Sequence, residues 1–505
     1  MFLYLTAVLS LFILILYVNF KKRYGFWKKL NVPYIHPTFP TGNVSDFLQS
    51  SIHFSYVIEK LYRKLRQNGA TDYGGIYFFG NPVFLVLSPE FAKTVLVKDF
   101  QYFMDRGIYF NEKVDVLSAN IFFLRGSKWK TLREKVSPTF TSGKIKQMFF
   151  LILDIGHRFQ DYLMPFGNVK ADIDIRDVLA RFMTDVIASC AFGLDTDCIN
   201  DPNSQFRKMG RKMIHFSKSK ALKLIFASTF QKQATFLGIR WNDVDVSDFF
   251  INVVKDTIRY RKESGTRRND FMQLLIDMMK DESKEKTFDD GKVTLTLEEI
   301  AAQAFVFLFA GFETSSTTMV FCLHLLAHHQ DIQDQARESI KKNLAKYDGV
   351  WCFDAIMEME FIEQIIEETL RLFPPVSDIH RWTSRDYKLP NGFVIPKEIA
   401  VIIPALAFAR DPNLFPDPMK FDPSRFTQEA KAQRHPFSSI PFGEGNRRCI
   451  GMRFGMIQMI LGLSLLLDKF RFSVCKKTTN PIEIDTVNLF HGPAGEVFLN
   501  IETLK

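Results

Sequence analysis

Several common chemistries have no signature in this 505-residue chain. There is no Gly-x-Ser-x-Gly elbow, which excludes a hydrolase built on that turn. No Gly-x-Gly-x-x-Gly follows a strand-like stretch, so the chain carries no marked dinucleotide site. Cysteine is sparse: the residues at 190, 198, 322, 352, 449 and 475 form no paired framework and no zinc spacing, a pattern that suits a reducing compartment. Repeats and low-complexity tracts are missing as well. The net charge is +9, but no basic-aromatic recognition motif accompanies it. The charge therefore points to anionic membrane or an acidic partner and away from nucleic acid. His324 and His328 lie four apart with no third ligand nearby, and read as cationic or polar residues closing a helix.

What the chain does have is apolar mass, 47% of its residues with 52 Phe, enough for a large core. Residues Phe2 to Phe20 carry no charged side chain and are long enough to cross a bilayer as a helix. Lys21, Lys22, Arg23, Lys28 and Lys29 follow, and by the positive-inside tendency this flank and all that follows face the cytosol. A cleaved signal would want a basic start and a small-residue cleavage site, which are missing. The expected layout is an anchor over 1–20, a basic, proline-stiffened linker over 21–42 (Pro33, Pro37, Pro40) and one catalytic domain over 43–505. Gly75 to Leu87 reads as a hairpin around an Asn-Pro turn, and Ser88-Pro-Glu as a helix start. The basic, aromatic stretch Ser217 to Trp241 has the composition of a membrane-interface segment or of a helix hairpin with a solvated lysine face. The stretch Lys280 to Lys292 reads as a charged surface loop.

Thr296-Leu-Glu-Glu299 has capping-box spacing and opens an apolar helix to about His328, roughly 48 Å long. Apolar on all sides, it reads as a central buried helix. A second membrane span is disfavoured by Gln303, Glu313 and the Thr/Ser cluster. Ala310, Gly311, Glu313 and Thr314 interrupt the run with small residues, an acid and an alcohol that can bond the carbonyl four residues back. Trp129 and Arg133 share one helical face, as do Glu368 and Arg371. Pro441 to Gly451 sets one cysteine in a loop of glycine and arginine ahead of an apolar helical run. Its glycines let a flat ligand approach. Arg447 and Arg448 favour a thiolate, which suits a soft metal centre.

Phe442, Gly443, Gly445, Arg447, Cys449 and Gly451 match, position by position, the haem-binding loop of the cytochrome P450 family, which the whole chain after the anchor resembles. The resemblance implies a mainly α fold with a small β subdomain, haem b lying between the long central helix and the cysteine loop, plus an N-terminal transmembrane helix. It implies that Cys449 is the axial thiolate. Trp129, Arg133 and Arg381 would hold the haem propionates, Arg447 would bind the cofactor from the loop, and Ala310 and Gly311 would leave room for oxygen. Glu313 and Thr314 would deliver protons. Glu368, Arg371 and Arg425 would form a structural network behind the cysteine loop. Val116, Leu117, Ile121, Phe122, Phe123, Val376, Leu489 and Phe490 would line the substrate pocket. Phe122 to Lys146 and the Leu308 to Ser316 run are similar to insect microsomal, family 6-like members that oxidise toxins and insecticides.

The implied activity is a monooxygenase of the endoplasmic reticulum membrane. It inserts one oxygen atom of O2 into lipophilic substrates with electrons from an NADPH-cytochrome P450 reductase, with cytochrome b5 as a second donor. NADPH is thus used indirectly, and the remaining partners are membrane lipid and the lipophile. Lys128, Lys130, Lys135, Arg447, Arg448, Lys476 and Lys477 offer a docking surface for the donor. The rivals are a peroxide isomerase or dehydratase of the same family, against which the acid-alcohol pair argues, and a non-catalytic haem sensor. Endogenous steroid, fatty-acid or pheromone substrates stay open.

Overall fold

A computed structural model describes residues 2–49, 52–214, 217–279 and 295–504. The charged stretch expected as a loop over 280–292 lies outside the described residues. The architecture is mostly helical, with small sheets at one side.

The central helix runs from Leu297 to His328. Thr296 starts it: its hydroxyl accepts from the Glu299 N–H at 3.2 Å, and the Glu299 carboxylate accepts from the Thr296 N–H at 2.9 Å. This reciprocal pair satisfies two of the otherwise orphaned first-turn donors. Long and apolar enough to cross a membrane, the helix is instead 78% buried over its most apolar window. It packs against the helices Ile175–Ile187, Val244–Ser264, Glu360–Leu372 and Met452–Lys469. Two glycines allow the closest approaches. A Cβ on Gly311 would lie 2.6 Å from the Ile187 side chain, and one on Gly462 would lie 2.9 Å from the Phe182 ring. His324 and His328 end this helix in edge-to-face contact. They are not cationic caps: burial pushes His324 down to about 4, and His328 in the same direction.

The larger sheet has strand order β1-β2-β7-β4, from β1 (Tyr73–Phe78), β2 (Asn81–Val86), β4 (Ile379–Trp382) and β7 (Ala400–Ile403). β3 (Asp172–Asp174), β8 (Phe470–Ser473) and β9 (Phe498–Thr503) form a three-stranded sheet, and β5 (Tyr387–Lys388) pairs with β6 (Val394–Ile395). The first hairpin turns on Phe79-Gly80, with Phe79 at φ +54°, and not on the Asn-Pro pair. Asn81 and Pro82 already belong to β2. Proline is tolerated there because the parallel ladder to β7 begins only at Val83.

The segment expected as a linker is folded onto this sheet. Trp27 is fully buried and its indole N–H donates to the Ile76 carbonyl at 3.0 Å. Gly75 makes room for it, since a Cβ there would lie 2.3 Å from the indole. Gly75 also exchanges backbone hydrogen bonds with Pro33 and Ile35 at 2.7 and 3.0 Å. The prolines bend the chain around the strand, while Trp27, Val32 and Ile35 fill the sheet-side core. Ahead of it, the helix Phe2–Arg23 carries exposed Phe2, Leu5, Leu11 and Val18. Its base is fixed by Arg23, which donates to the Asn81 side chain at 3.1 Å, and by the Phe20–Phe39 ring contact.

Candidate active site

The cysteine loop is shaped by backbone that only glycine adopts readily. Gly443 and Gly445 have φ of +68° and +74°, and a Cβ on Gly445 would lie 2.1 Å from the Leu96 carbonyl oxygen. A short 3-10 turn, Gly445–Arg447, leads into Cys449, whose N–H donates to the Phe442 carbonyl at 2.9 Å. The helix Met452–Lys469 starts directly after. Cys449 is exposed, although the protein around it is dense enough for burial to raise its thiol. The Gly451 N–H, Arg106, Arg133 and Arg448 oppose that rise without cancelling it. Arg447, expected to act on the sulfur, instead points into an arginine cluster.

That cluster is the most unusual feature of the site. Arg447 is buried, with donors on the carbonyls of Met104 and Leu124 at 2.9 Å each and on the Asp105 carboxylate at 3.2 Å. Its guanidinium carbon lies 3.9 Å from the centre of the Trp129 ring, on the helix Gly126–Val136. Among the described residues its Nη1 has no partner, and neither has Nε of the buried Arg381. Arg133 donates to the Arg448 carbonyl at 3.0 Å. Burial pushes Arg447 down to about 8, with Arg106, Arg381 and Arg133 adding to the shift and Asp105 opposing it. Arg381 falls to about 9, through burial and then Arg106. Buried cations with orphaned donors call for anionic acceptors.

Arg106 belongs to the same cluster and was not legible in the sequence. It donates to the carbonyls of Phe122 and Arg447 at 3.0 and 3.2 Å, and burial pushes it down to about 10. A single arginine in an aperiodic aromatic segment has no local signature, and its second partner lies 341 residues away.

The small-residue notch lies midway along the central helix. Ala310 is exposed there, Gly311 and Thr314 are half-buried, and Glu313 is buried. The Thr314 hydroxyl donates to the Ala310 carbonyl at 2.6 Å, while the helix itself runs unbroken through the notch. Burial raises the Glu313 carboxyl, against the pull of Arg176, Arg207 and the Thr317 hydroxyl. The adjacent acid and alcohol thus have different surroundings. Glu313 belongs with side chains of the neighbouring helices Ile175–Ile187 and Gln205–Ile214, and Thr314 with the notch.

Glu368 and Arg371 form a two-pronged pair at 2.6 and 2.8 Å, both side chains fully buried. Arg371 also donates to the carbonyls of Ala409, Pro418 and Lys420, and Glu368 accepts from the Asp422 N–H at 2.9 Å. Arg425 approaches Glu368 at 3.6 Å. The three residues expected as a network are therefore assembled.

The pocket candidates divide. Leu117, Ile121, Phe123 and Phe490 are buried, Val116 and Phe122 are half-buried, and Val376 and Leu489 are exposed. Ile121 is tied to the central helix by its N–H, which donates to the Gln303 side chain at 2.9 Å. Phe490 lies 5.3 Å from Phe309, next to Ala310, and Phe123 lies 4.9 Å from Trp241. Phe309 and Trp241 join the candidates on these contacts. The segment 105–125 is also stitched to 231–242. Asp115 accepts from the N–H groups of Trp241 and Asn242 at 3.0 and 2.8 Å, the Tyr109 hydroxyl bonds the carbonyls of Ala234 and Ile239, and Gln231 joins Gly107 to Arg125.

A haem fits these residues on three counts. The cysteine is accessible at the end of a glycine loop, the arginines have donors to spare for two carboxylates, and the central helix exposes its smallest residues. Comparison with known proteins points the same way. The family model "Cytochrome P450" matches residues 49–497. The chain is 39% identical to "Cytochrome P450 6A1" of Musca domestica over 95% of this chain and 94% of that protein. It is 39% identical to "Cytochrome P450 6a9" of Drosophila melanogaster over 99% and 98%. It is 40% identical to "Probable cytochrome P450 6a20" of Drosophila melanogaster over 95% of each. The chain therefore belongs to the cytochrome P450 family and is a monooxygenase of that family.

Proposed function

We propose that this monooxygenase oxidises lipophilic small molecules, with foreign compounds such as plant toxins and insecticides as its main substrates. The observation that carries the reading is the cluster of Arg106, Arg133, Arg381 and Arg447 beside an exposed Cys449. Haem, when bound, supplies the redox chemistry that splits O2, leaving one oxygen for the substrate and one for water. The chain's own groups do the rest. Cys449 would supply the sulfur ligand. The arginines and Trp129 would hold the haem carboxylates, and Glu368, Arg371 and Arg425 would keep the loop in place. Thr314 presents a hydroxyl at the notch, and Glu313, whose carboxyl burial raises, is the acid adjacent to it in the chain and the candidate to pass a proton toward it. Phe122, Phe123, Phe309, Phe490 and Trp241 offer an apolar aromatic lining that admits flat or bulky lipophiles.

The helix Phe2–Arg23 serves as an anchor in the endoplasmic reticulum membrane, with residues 43–505 as the cytosolic catalytic domain. At 1.5 Å per residue it spans about 33 Å, the thickness of a bilayer core. The neighbouring helices Lys218–Thr229 and Gln231–Phe236 expose Leu222, Phe226 and Phe236, with Lys223 and Lys232 among them, and dip into the same membrane. Asn81 supports a common side for both: it accepts from Arg23 and donates to the Thr229 carbonyl at 3.3 Å. Electrons come from an NADPH-dependent reductase, with cytochrome b5 as a second donor, at a basic surface that includes Lys130, Lys135, Arg448, Lys476 and Lys477.

Reconstitution with a microsomal reductase, NADPH and isotopically labelled O2 tests the reading over a panel of toxins, insecticides and steroids. The expected result is products carrying one labelled oxygen, absent with Cys449→Ser and reduced with Thr314→Ala. Labelled products from steroids alone would overturn the xenobiotic assignment. Turnover of a lipid peroxide without reductase, and no labelled product, would overturn the oxygen-insertion assignment.

A further inference from the structure

The helix Met452–Lys469, which follows the cysteine loop, is apolar along its buried length except for Gln458 and Ser464. Gln458 is fully buried. A primary amide without partners in such a place is costly, so its contacts matter. Its Nε2 donates to the Ser315 hydroxyl at 2.5 Å and to the Gly311 carbonyl at 3.3 Å, while its Oε1 has no partner among the described residues. The carbonyl fixes the orientation of the amide, because only the NH2 end can donate to it. Both contacts fall on the notch of the central helix.

We infer that Gln458 is a positioning residue that sets the oxygen notch relative to Cys449. The cysteine and Gln458 belong to one short, continuous piece of chain, nine residues apart, so the amide transmits the position of the sulfur to the opposite helix. Gly311 is held from the other side as well, by Ile187, against which it has no room for a Cβ. The notch is thus clamped between a helix that packs and a helix that hydrogen-bonds. Two consecutive carbonyls, those of Ala310 and Gly311, also accept from side chains, Thr314 and Gln458 respectively. A carbonyl shared in this way bonds its helical N–H partner less tightly, which loosens the ladder at the notch. Gln458 compensates by fixing the weakened turn from outside.

The inference rests on the proposed role of Thr314, but its first readout does not depend on turnover. Hydrogen exchange of the full-length holoprotein is followed in peptides spanning 309–318, for wild type, Gln458→Leu, Gln458→Glu and Ser315→Ala. Loss of both bonds in Gln458→Leu is expected to raise exchange there about five-fold and to leave the helix Glu360–Leu372 unchanged. Gln458→Glu should fall between wild type and Gln458→Leu, because a carboxyl keeps a polar contact with the Ser315 hydroxyl but has at most one hydrogen to donate. Ser315→Ala, which removes one acceptor, should give a smaller rise in the same peptides. Reconstituted turnover adds a second readout: the share of reducing equivalents released as peroxide rises several-fold in Gln458→Leu, with KM within about two-fold. Unchanged exchange in 309–318, a uniform rise across the chain, or a Glu variant as loose as the Leu variant would each overturn the assignment. If Gln458→Leu does not fold, the other two variants decide it. Failure of wild type to oxygenate any substrate would sink the proposed function and leave the exchange result standing.

Discussion

The two sides of the site are held in different ways. In one region, Glu368 and Arg371 are fully buried, bonded to each other on two prongs and to four backbone groups besides. In the other, the segments 105–125 and 231–242 meet through hydrogen bonds of Asp115, Tyr109 and Gln231, beneath side chains as exposed as Phe236 at 91%. One side is a fixed ion network whose loss of a partner is costly. The other is a set of smaller latches, each on the order of 1–3 kcal/mol, that can open without unfolding the core. On the function proposed above, the contrast would suit an enzyme that keeps one metal ligand in place while admitting substrates of many shapes.

Glu368→Ala should break the comparison most severely. It leaves Arg371 buried without its counter-charge, at a cost of about 3–5 kcal/mol. The expected outcome is loss of folded, haem-containing protein, read from yield and from the carbon monoxide difference spectrum. Arg447→Met should be milder, because the loop fold survives and one propionate donor is lost. Haem transfer to apomyoglobin is expected to speed up by about ten-fold or more. On the opposite side, Asp115→Asn weakens the backbone latch by about 1–3 kcal/mol. Hydrogen exchange should rise in 105–125 and 231–242 together; a rise in only one would show that the two segments open independently.

Glu313→Gln sharpens the contrast through pH. Burial raises the Glu313 carboxyl, so the folded state holds a proton that the unfolded state releases above its ordinary carboxylate range. Wild-type stability should therefore fall as pH rises from that range through the raised folded value, and the variant should flatten that slope in melts taken across it. The smallest effect belongs to Lys128→Ala. Its exposed pair with Glu112 at 2.8 Å contributes no more than ~0.5 kcal/mol, which should leave the melting temperature almost unchanged.

Much of the fixed side was legible in the sequence because its chemistry is local. The cysteine loop is contiguous, Glu368 and Arg371 share a helical face, and the capping box at Thr296 is a four-residue pattern. Arg106 was invisible because nothing near it in the chain explains it, and its meaning comes from Arg447 across the fold. Gln458 did leave a signal, a lone amide within an apolar helix. The latches of Asp115 and Tyr109 left none, since their partners are backbone groups that any sequence supplies. The linker was misread for a related reason: prolines suggested an extended tether, and only the space beside Gly75 makes Trp27 a core residue.

Burial of Trp27 has a practical corollary for anyone who wishes to free the enzyme from detergent. A truncation ending the hydrophobic helix before Lys21 would leave the Arg23–Asn81 contact and the indole in its slot. A cut placed ten residues later would excise a tryptophan from the interior and open a hole under β1. The packed core thus takes in Trp27, ahead of the prolines.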